Sequence, residues 1–165
     1  MTKDAASPDK TIAFQGEPGA NSHIACREAF PDMTDLPCDT FEDVFAAVNE
    51  GRARLAMIAI ENSLAGRVAD VHHLIPGAGL YIVGEHFLPV RHQLLGLKGS
   101  RIEDIRTVHS HVHALGQCRR AIRELGLKAV VAADTAGAAR QVVEAADKTR
   151  AAIASNLAAD IYGLD

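Results

Sequence analysis

The apolar residues of this chain fall into short runs that alternate with stretches in which apolar positions recur at helical spacing. The run at residues 150–154 indicates a strand, whereas the spacing of apolar residues between Phe41 and Val48 indicates an amphipathic helix. The predicted strands are residues 11–14, 55–60, 106–109, 128–133 and 150–154. The predicted helices start at Asn21 or Ser22 and at Thr40, and then span residues 65–74, 114–125, 135–145 and 156–162. This alternation predicts an α/β fold, in which mostly parallel strands are joined by right-handed helical crossovers.

The run at residues 55–60 is apolar throughout and stops abruptly at a polar segment, residues 61–66. A strand covered on both faces has continuous apolar residues, and ligands bind beyond the carboxyl ends of such strands in open α/β sheets. We therefore expect a buried strand here that delivers polar groups to a site. After Pro31 we expect a polar connection that leads to Leu36-Pro37-Cys38.

A long β-rich segment, residues 80–97, contains Pro89 near its middle. Because proline inside a strand indicates an edge or a bend, we expect the chain to cross there from one lobe to another. The expected organisation is a disordered tail at residues 1–10, a first lobe at 11–86 and a second lobe at 87–165.

Composition narrows the possible functions. The chain has 165 residues, a formal net charge of -4 and a pI near 6.0, which argue against a general affinity for nucleic acid or for an anionic membrane. No apolar run approaches the ~20 residues of a membrane span. The three cysteines are odd in number and widely spaced, as is typical of a reducing compartment. A cytoplasmic protein is the expectation.

Five segments leave a predicted strand and enter a helix, and all are rich in hydroxyls, amides and small residues. They are residues 15–22, 61–66, 110–113, 134–137 and 155–156. Each presents a helix N-terminus, where unpaired N–H groups favour an anion. The alternative is that these residues are ordinary helix caps. We expect a small anionic ligand, bound in a cleft that these loops share.

Three histidines, at positions 109, 111 and 113, alternate along the chain. A strand would place them on one face, as in a metal site, but no carboxylate or thiol lies at a ligand spacing nearby. We therefore expect no metal.

Several motifs occur together, in order, from about Thr11 to the end of the chain. They are Gln15-Gly16-Glu17-Pro18-Gly19 with Ser22, Glu61-Asn62-Ser63-Leu64-Ala65-Gly66, Pro89-Val90-Arg91-His92, Ser110-His111 with Ala114-Leu115 and Gln117-Cys118, Asp134-Thr135-Ala136, and Ala151-Ala152-Ile153-Ala154-Ser155. In this combination the chain is similar to the catalytic domain of prephenate dehydratase.

The resemblance implies a two-lobed α/β fold of the periplasmic-binding-protein type II, with mostly parallel sheets, helices on both faces and the active site between the lobes. It also implies a homodimer or higher homo-oligomer, and a lyase that removes water and carbon dioxide from prephenate to give phenylpyruvate for phenylalanine biosynthesis. No cofactor is needed, because the product gains an aromatic ring.

The resemblance assigns substrate contacts and loop-fixing residues. The substrate contacts are Ser22, Asn62, Ser63, Leu64, Ala65, Gly66, Ser110, His111, Thr135 and Ser155. Gly16, Gly19 and Glu61 are expected to fix loops, since a carboxylate such as that of Glu61 would repel a dianionic substrate.

The sequence departs from the family pattern at Asn21, where an aromatic residue is usual, and at His113, where glutamine is usual. The family continues into a strand with a Thr-Arg-Phe motif, whose threonine is the favoured proton donor, and no such motif occurs here. We expect a chain that lacks this return segment, folds, and turns over slowly or not at all. The catalytic acid stays unassigned. Arogenate dehydratase and a non-catalytic binding module for a small dicarboxylate are the alternative functions.

Overall fold

A computed structural model of the chain describes residues 7–165. The described chain divides into two compact units. Unit 1 contains Ser22–Leu88 and the residues up to Gly16, and unit 2 contains Glu17–Asn21 and Pro89–Asp165. The five residues Glu17–Asn21 therefore pack with the second half of the chain.

Unit 1 is built on a three-stranded parallel sheet in the order β2-β1-β3. Its elements are β1 (Thr11–Gln15), α1 (Asn21–Ala29), β2 (Thr34–Cys38), α2 (Phe41–Asn49), β3 (Leu55–Met57), β4 (Glu61–Asn62), β5 (Gly66–Arg67) and α3 (Ala69–Leu74). The central strand is β1, in which Ile12, Ala13 and Phe14 are fully buried. A capping box starts α2, because the Thr40 hydroxyl accepts from Asp43 N and the Asp43 carboxylate accepts from Thr40 N.

Two predictions in this sheet are wrong. Residues 34–38 form the strand β2 instead of a connection, and Pro37 is tolerated there because β2 is an edge strand of the described sheet. The expected buried strand at residues 55–60 is only Leu55–Met57, lies at the other edge and is half-buried. In the described sheet, β3 pairs with one strand, β1, instead of lying between two strands.

The polar segment after β3 folds as a hairpin, so the prediction of a helix starting at Ala65 is wrong. β4 pairs antiparallel with β5, with Glu61 opposite Arg67 and Asn62 opposite Gly66. The helix α3 begins only at Ala69. Because Gly66 has a φ of +82°, the chain turns back at this position instead of continuing into a helix.

The segment predicted to be a long β-rich crossing has no strand before Gln93. Tyr81, Ile82, Val83 and Phe87 are at least 77% exposed, so their apolar character is not explained by burial within the described chain. The unit boundary falls at Leu88 and Pro89, two residues beyond the one expected from the sequence.

Unit 2 is built on a four-stranded sheet in the order β6-β9-β7-β8. Its elements are β6 (Gln93–Gly96), β7 (Thr107–Ser110), α4 (Val112–Gln117), α5 (Arg119–Glu124), β8 (Lys128–Val131), α6 (Thr135–Ala145), β9 (Arg150–Ala154) and α7 (Asn156–Tyr162). β7 pairs in parallel with both β8 and β9, whereas β6 is antiparallel to β9. The predicted α/β class with mostly parallel strands is confirmed.

The predicted single helix at residues 114–125 is two helices, because the backbone leaves helical geometry at Cys118. The core of unit 2 lies mainly between β9 and the helices α6 and α7, where Ala152, Ala138 and Val142 are buried. Many of these core residues are alanines, so the helices can approach the sheet closely.

Of the expected N-terminal tail, residues 1–6 lie outside the described residues. Pro8–Lys10 forms an exposed 3₁₀ helix, so the expected disorder does not apply to these three residues. Within residues 7–165, no helix is long and apolar enough to cross a membrane.

Candidate functional site

Three loops of unit 2 lie at one edge of its sheet. Ser110 ends β7, Thr135 follows β8 and Ser155 directly follows β9. The three strands are parallel, so their carboxyl ends meet at the same edge. Each loop leads into a helix, namely α4, α6 and α7. The structure thus groups four of the predicted site residues, the three named here and His111.

Ser155 is the N-cap of α7. Its hydroxyl accepts a hydrogen bond from Ala158 N at 3.0 Å and donates one to the carbonyl oxygen of Gly19 at 2.5 Å. The side chain is buried. Since a hydroxyl has one proton, Ser155 has no further proton to donate to a ligand.

Ser110 is similarly engaged. Its side chain is fully buried, and its hydroxyl donates to the carbonyl oxygen of Ile153 on the neighbouring strand at 2.6 Å. This bond joins β7 to β9 beyond the last residues of their ladder. Residue 110 is fully buried and its carbonyl oxygen accepts from Ala132 N at 2.8 Å, so neither its hydroxyl nor its carbonyl is exposed to a ligand at this edge.

The loop after β8 presents both a carboxylate and a hydroxyl. Asp134 is the N-cap of α6, and its carboxylate accepts from Gly137 N at 2.6 Å. Thr135, the first residue of α6, is half-buried, and within residues 7–165 its hydroxyl has no hydrogen-bond partner. Sequence reasoning quoted Asp134 within a motif but gave it no role. The sequence signal for such a role is the position of Asp134 between a predicted strand and a predicted helix, where an acidic side chain can cap the helix.

His111 caps α4. Its Nδ1 accepts from His113 N at 3.3 Å, and the two imidazole rings meet edge to face with centroids 4.8 Å apart. Burial lowers the pKa of His111, and the neighbouring His113 lowers it further, whereas Asp134 opposes the shift. The ring is therefore largely neutral at pH 7, when Nδ1 is the acceptor and Nε2 carries the proton.

The segment Glu17–Asn21 belongs to the same unit and contacts α6 and α7. The Arg140 guanidinium lies 3.2 Å from a Glu17 carboxylate oxygen, and the Tyr162 hydroxyl donates to the carbonyl oxygen of Pro18 at 3.0 Å. Gly19 has a φ of +95°, and a Cβ there would lie 2.8 Å from Ala158 Cα. Only glycine fits this approach without strain, in keeping with the loop-fixing role predicted for Gly19.

The predicted contacts of unit 1 lie mainly in the β4–β5 hairpin. The Asn62 side-chain oxygen accepts from Leu64 N and Ala65 N, each at 2.9 Å, which fixes the turn. Ser63, Leu64, Ala65 and Gly66 are exposed. Glu61, predicted to fix this loop, lies in the ladder opposite Arg67, and its carboxylate has no hydrogen bond within the described chain. Asn62 performs the role expected of Glu61.

Ser22 and Gly16 flank the segment Glu17–Asn21. Ser22 lies in the first turn of α1 and is half-buried. Gly16 has a φ of +112°, and its N–H bonds to the carbonyl oxygen of Cys38 at 2.9 Å. The position of Gly16 at the end of β1 is thus held by the neighbouring strand.

Sequence reasoning missed His23. Its Nε2 lies 3.0 Å from an Asp35 carboxylate oxygen, and its ring stacks on Phe14 at a centroid distance of 5.0 Å. The pair joins the first turn of α1 to β2. The prediction could not include it because β2 was not predicted.

These contacts limit what the edge of unit 2 can bind. One first-turn N–H of each helix is already taken, by His111, Asp134 or Ser155. The alternative that these residues cap helices is therefore observed in three of the five loops, and the binding of an anion at their remaining N–H groups stays a prediction. The Thr135 hydroxyl and the His111 Nε2 add side-chain groups to these amides.

The family model of prephenate dehydratase matches residues 12–165. The chain belongs to the prephenate dehydratase family. The family explains why the five motif-bearing loops occur together in one chain, and it confirms the resemblance described from the motifs.

Relatives of known name agree with this membership. The chain is 57% identical over 157 residues to a bifunctional N-acyl-homoserine lactone acylase/prephenate dehydratase of Komagataeibacter europaeus, covering 95% of this chain and 56% of the relative. It is 44% identical over 154 residues to the chloroplastic arogenate dehydratase/prephenate dehydratase 1 of Arabidopsis thaliana, covering 93% of this chain and 39% of that protein.

Among solved structures, the prephenate dehydratase of Arthrobacter aurescens in complex with L-Phe superposes with a TM-score of 0.86 at 30% identity, over 94% of this chain and 53% of that one. The chain thus spans about half the length of this dehydratase, and 39% to 56% of the two relatives above.

Proposed function

We propose that this chain acts in a prephenate dehydratase, a lyase that converts prephenate to phenylpyruvate, water and carbon dioxide. The observation that carries the proposal is the grouping of three helix-starting loops, with Thr135 and His111, at one edge of the sheet of unit 2. The family model and the two named relatives support the same activity.

The reaction needs little chemistry from the protein beyond positioning and one proton. The bond from the ring to the hydroxyl breaks as that oxygen takes up a proton. The bond to the ring carboxylate breaks as carbon dioxide leaves, and its electron pair completes the aromatic ring. Groups that hold the ring with both bonds in position for cleavage lower the entropy cost of such a step.

Thr135 is the side chain we assign most directly to substrate binding. Its hydroxyl lies at the N-terminus of α6 and has no hydrogen-bond partner within the described chain, so it can donate to a substrate oxygen. His111, neutral at pH 7, can donate through Nε2. Ser22 and the hairpin residues Asn62 to Gly66, which belong to unit 1, stay predicted substrate contacts, and Asn62 fixes the turn of the hairpin.

The test measures prephenate binding by calorimetry and phenylpyruvate formation by absorbance. Thr135→Val removes the hydroxyl at nearly constant volume, and we expect a dissociation constant raised about 3- to 10-fold, as for the loss of a neutral hydrogen bond. Thr107→Val is the matched control, because Thr107 begins β7 at the opposite edge of the same sheet.

Each outcome separates the candidate functions. Product formation supports the dehydratase. Prephenate binding without product supports the binding module for a small dicarboxylate. Absence of both contradicts the proposal, and an equal effect of Thr135→Val and Thr107→Val contradicts the assignment of Thr135. Running arogenate in parallel tests the alternative substrate, which the name of the Arabidopsis relative includes.

The proposal includes a homodimer or higher homo-oligomer in the cytoplasm, with prephenate as the small-molecule partner. The near-neutral pI and the modest net charge of -4 suit such a partner better than nucleic acid. Light scattering after size-exclusion chromatography measures the mass of the particle, and a monomer at micromolar concentration would contradict the assembly.

A second candidate function is hydrolysis of N-acyl-homoserine lactones, because the relative that is 57% identical carries acylase in its name. Ser110 and Ser155 are poor nucleophiles for it, since both hydroxyls are buried and donate to carbonyl oxygens. Release of homoserine lactone from an N-acyl substrate, measured beside the prephenate assay, tests this candidate.

A further inference from the structure

Three consecutive residues of the segment Glu17–Asn21 are each held by a different side chain of unit 2. Arg140 contacts the Glu17 carboxylate, Tyr162 donates to the Pro18 carbonyl and Ser155 donates to the Gly19 carbonyl. Within the segment, Ala20 N also donates to Glu17 O at 3.0 Å. The three side chains therefore hold a turn that has a main-chain hydrogen bond of its own.

Two of the three contacts come from one helix. Ser155 is the N-cap of α7, and Tyr162 is the last residue of α7. The two ends of this helix therefore bind the carbonyls of neighbouring residues, Gly19 and Pro18. Such an arrangement fixes the orientation of both peptide planes, because each is held at its own oxygen.

The approach of main chain to helix is closer than any residue other than glycine allows. A Cβ at Gly19 would lie 2.8 Å from Ala158 Cα and 2.9 Å from Ala158 Cβ. The nearest of these atoms is main chain, which cannot rotate away. The close contact is made by Ala158, which lies in α7 between Ser155 and Tyr162. The two hydrogen bonds and the close contact therefore all hold Pro18 and Gly19 against this helix.

We propose that Ser155 and Tyr162 are positioning residues that clamp the segment Glu17–Asn21, and that Ser155 does not itself donate to the substrate. This inference rests on the proposed function. The clamp matters for binding because it holds the N–H groups of the segment itself, up to that of Asn21 at the start of α1, in one direction. A ligand then binds without bearing the entropy cost of ordering the segment.

The decisive variant is Tyr162→Phe, which removes one hydroxyl and leaves the ring in place. The chain offers a matched control in Tyr81→Phe, since the sequence has two tyrosines and Tyr81 is 90% exposed. We expect Tyr162→Phe to raise the dissociation constant for prephenate about 3- to 10-fold, as for the loss of a neutral hydrogen bond, and Tyr81→Phe to leave it unchanged.

Ser155→Gly is the second variant. Glycine is tolerated at an N-cap, so the helix loses little while the donor to Gly19 is removed. Ser155→Gly and Tyr162→Phe are expected to weaken prephenate binding to a similar extent. A much larger loss for Ser155→Gly than for Tyr162→Phe would contradict the clamp, because it would indicate that the serine hydroxyl contacts the substrate.

Hydrogen exchange of the unliganded protein separates the clamp from the proposed function. We expect the amides of residues 19–22 to exchange faster in Tyr162→Phe and Ser155→Gly than in Tyr81→Phe, with the remaining amides of unit 2 unchanged. Unchanged exchange at residues 19–22 overturns the clamp whether or not prephenate binds. Faster exchange in a protein that binds no prephenate retains the clamp and contradicts the proposed function.

Discussion

Replacing Gly19 by alanine tests the close approach of the main chain at Gly19 to Ala158 of α7. Alanine meets two penalties there. A φ of +95° is sparsely populated by residues with a Cβ and costs on the order of 1–3 kcal/mol. The new Cβ would also lie 2.8 Å from Ala158 Cα, and overpacking of this kind costs about 1–3 kcal/mol. We expect Gly19→Ala to lower the free energy of unfolding by about 4 kcal/mol, the middle of the summed range.

The matched control is Gly126→Ala. Gly126 also has a positive φ, +66°, but a Cβ there meets no atom within 4 Å. It therefore measures the backbone strain without the steric clash, about 1 kcal/mol. Urea titrations of both variants give the free energies of unfolding, and thermal melts should differ by about 6–12 °C, at 2–4 °C per kcal/mol for a chain of this size.

The result that refutes this reasoning is equal destabilisation by Gly19→Ala and Gly126→Ala. Equality would indicate that the segment can move away from Ala158 at little cost, and so that it is not fixed against α7. Shortening Ala158 to glycine should not restore stability to Gly19→Ala, because the nearest atom is the main-chain Cα and persists in that double variant.

Four further predictions follow from individual contacts. Thr40→Ala removes the capping box of α2 and should cost about 1 kcal/mol of unfolding free energy in urea, with no change in slope. Burial raises the pKa of the Cys26 thiol to about 12, so iodoacetamide at pH 8 should leave Cys26 unmodified while it labels the more exposed Cys118 first, as peptide mass mapping would report. Because the pKa of His111 is lowered on folding, its contribution to stability is present above pH 6.5 and lost as the pH falls below it, so His111→Gln should lessen the drop in urea midpoint from pH 7.5 to 5.5. Asp134→Asn keeps the cap of α6 and removes a negative charge, so calorimetry should find prephenate bound more tightly.

The elements of unit 2 were the most predictable from the sequence. Thr135–Ala145, Arg150–Ala154 and Asn156–Tyr162 have the bounds expected from the pattern. The reason is local, since Asp134 and Ser155 cap the two helices with their own side chains and Gly163 ends the last one in a left-handed conformation. When the capping residues are adjacent to a helix in sequence, the local sequence pattern is enough to predict where that helix begins and ends.

The errors in unit 1 have a different cause. The apolar run at residues 55–60 resembles a strand covered on both sides, yet β3 is a short edge strand of the described sheet. Which strand is central depends on pairing between distant segments, and β2, with its proline at position 37, gave no strand pattern. The hairpin at Asn62 was missed because a strand end that enters a turn and one that enters a helix use the same residue types.

The same ambiguity explains the assignments at the candidate site. Serine and threonine at a strand end can cap a helix or bind a ligand, and the sequence does not distinguish the two roles. In the structure, the hydroxyl groups differ in whether they already donate a hydrogen bond to a protein acceptor. Ser110 and Ser155 donate theirs to the carbonyls of Ile153 and Gly19, whereas the hydroxyl of Thr135 has no such partner in the described chain.

Charge then distinguishes the three helix N-termini of this edge from one another. The N-terminus of a helix carries about half a positive charge, and the carboxylate of Asp134 at the start of α6 brings a full negative one. Ser155 and His111 cap α7 and α4 without a negative charge, since one is a hydroxyl and the other a largely neutral imidazole. A dianion at this edge is therefore attracted to the α4 and α7 side and repelled on the α6 side. Thr135 suits an uncharged oxygen of the ligand better than a carboxylate, and in prephenate the ring hydroxyl is such an oxygen.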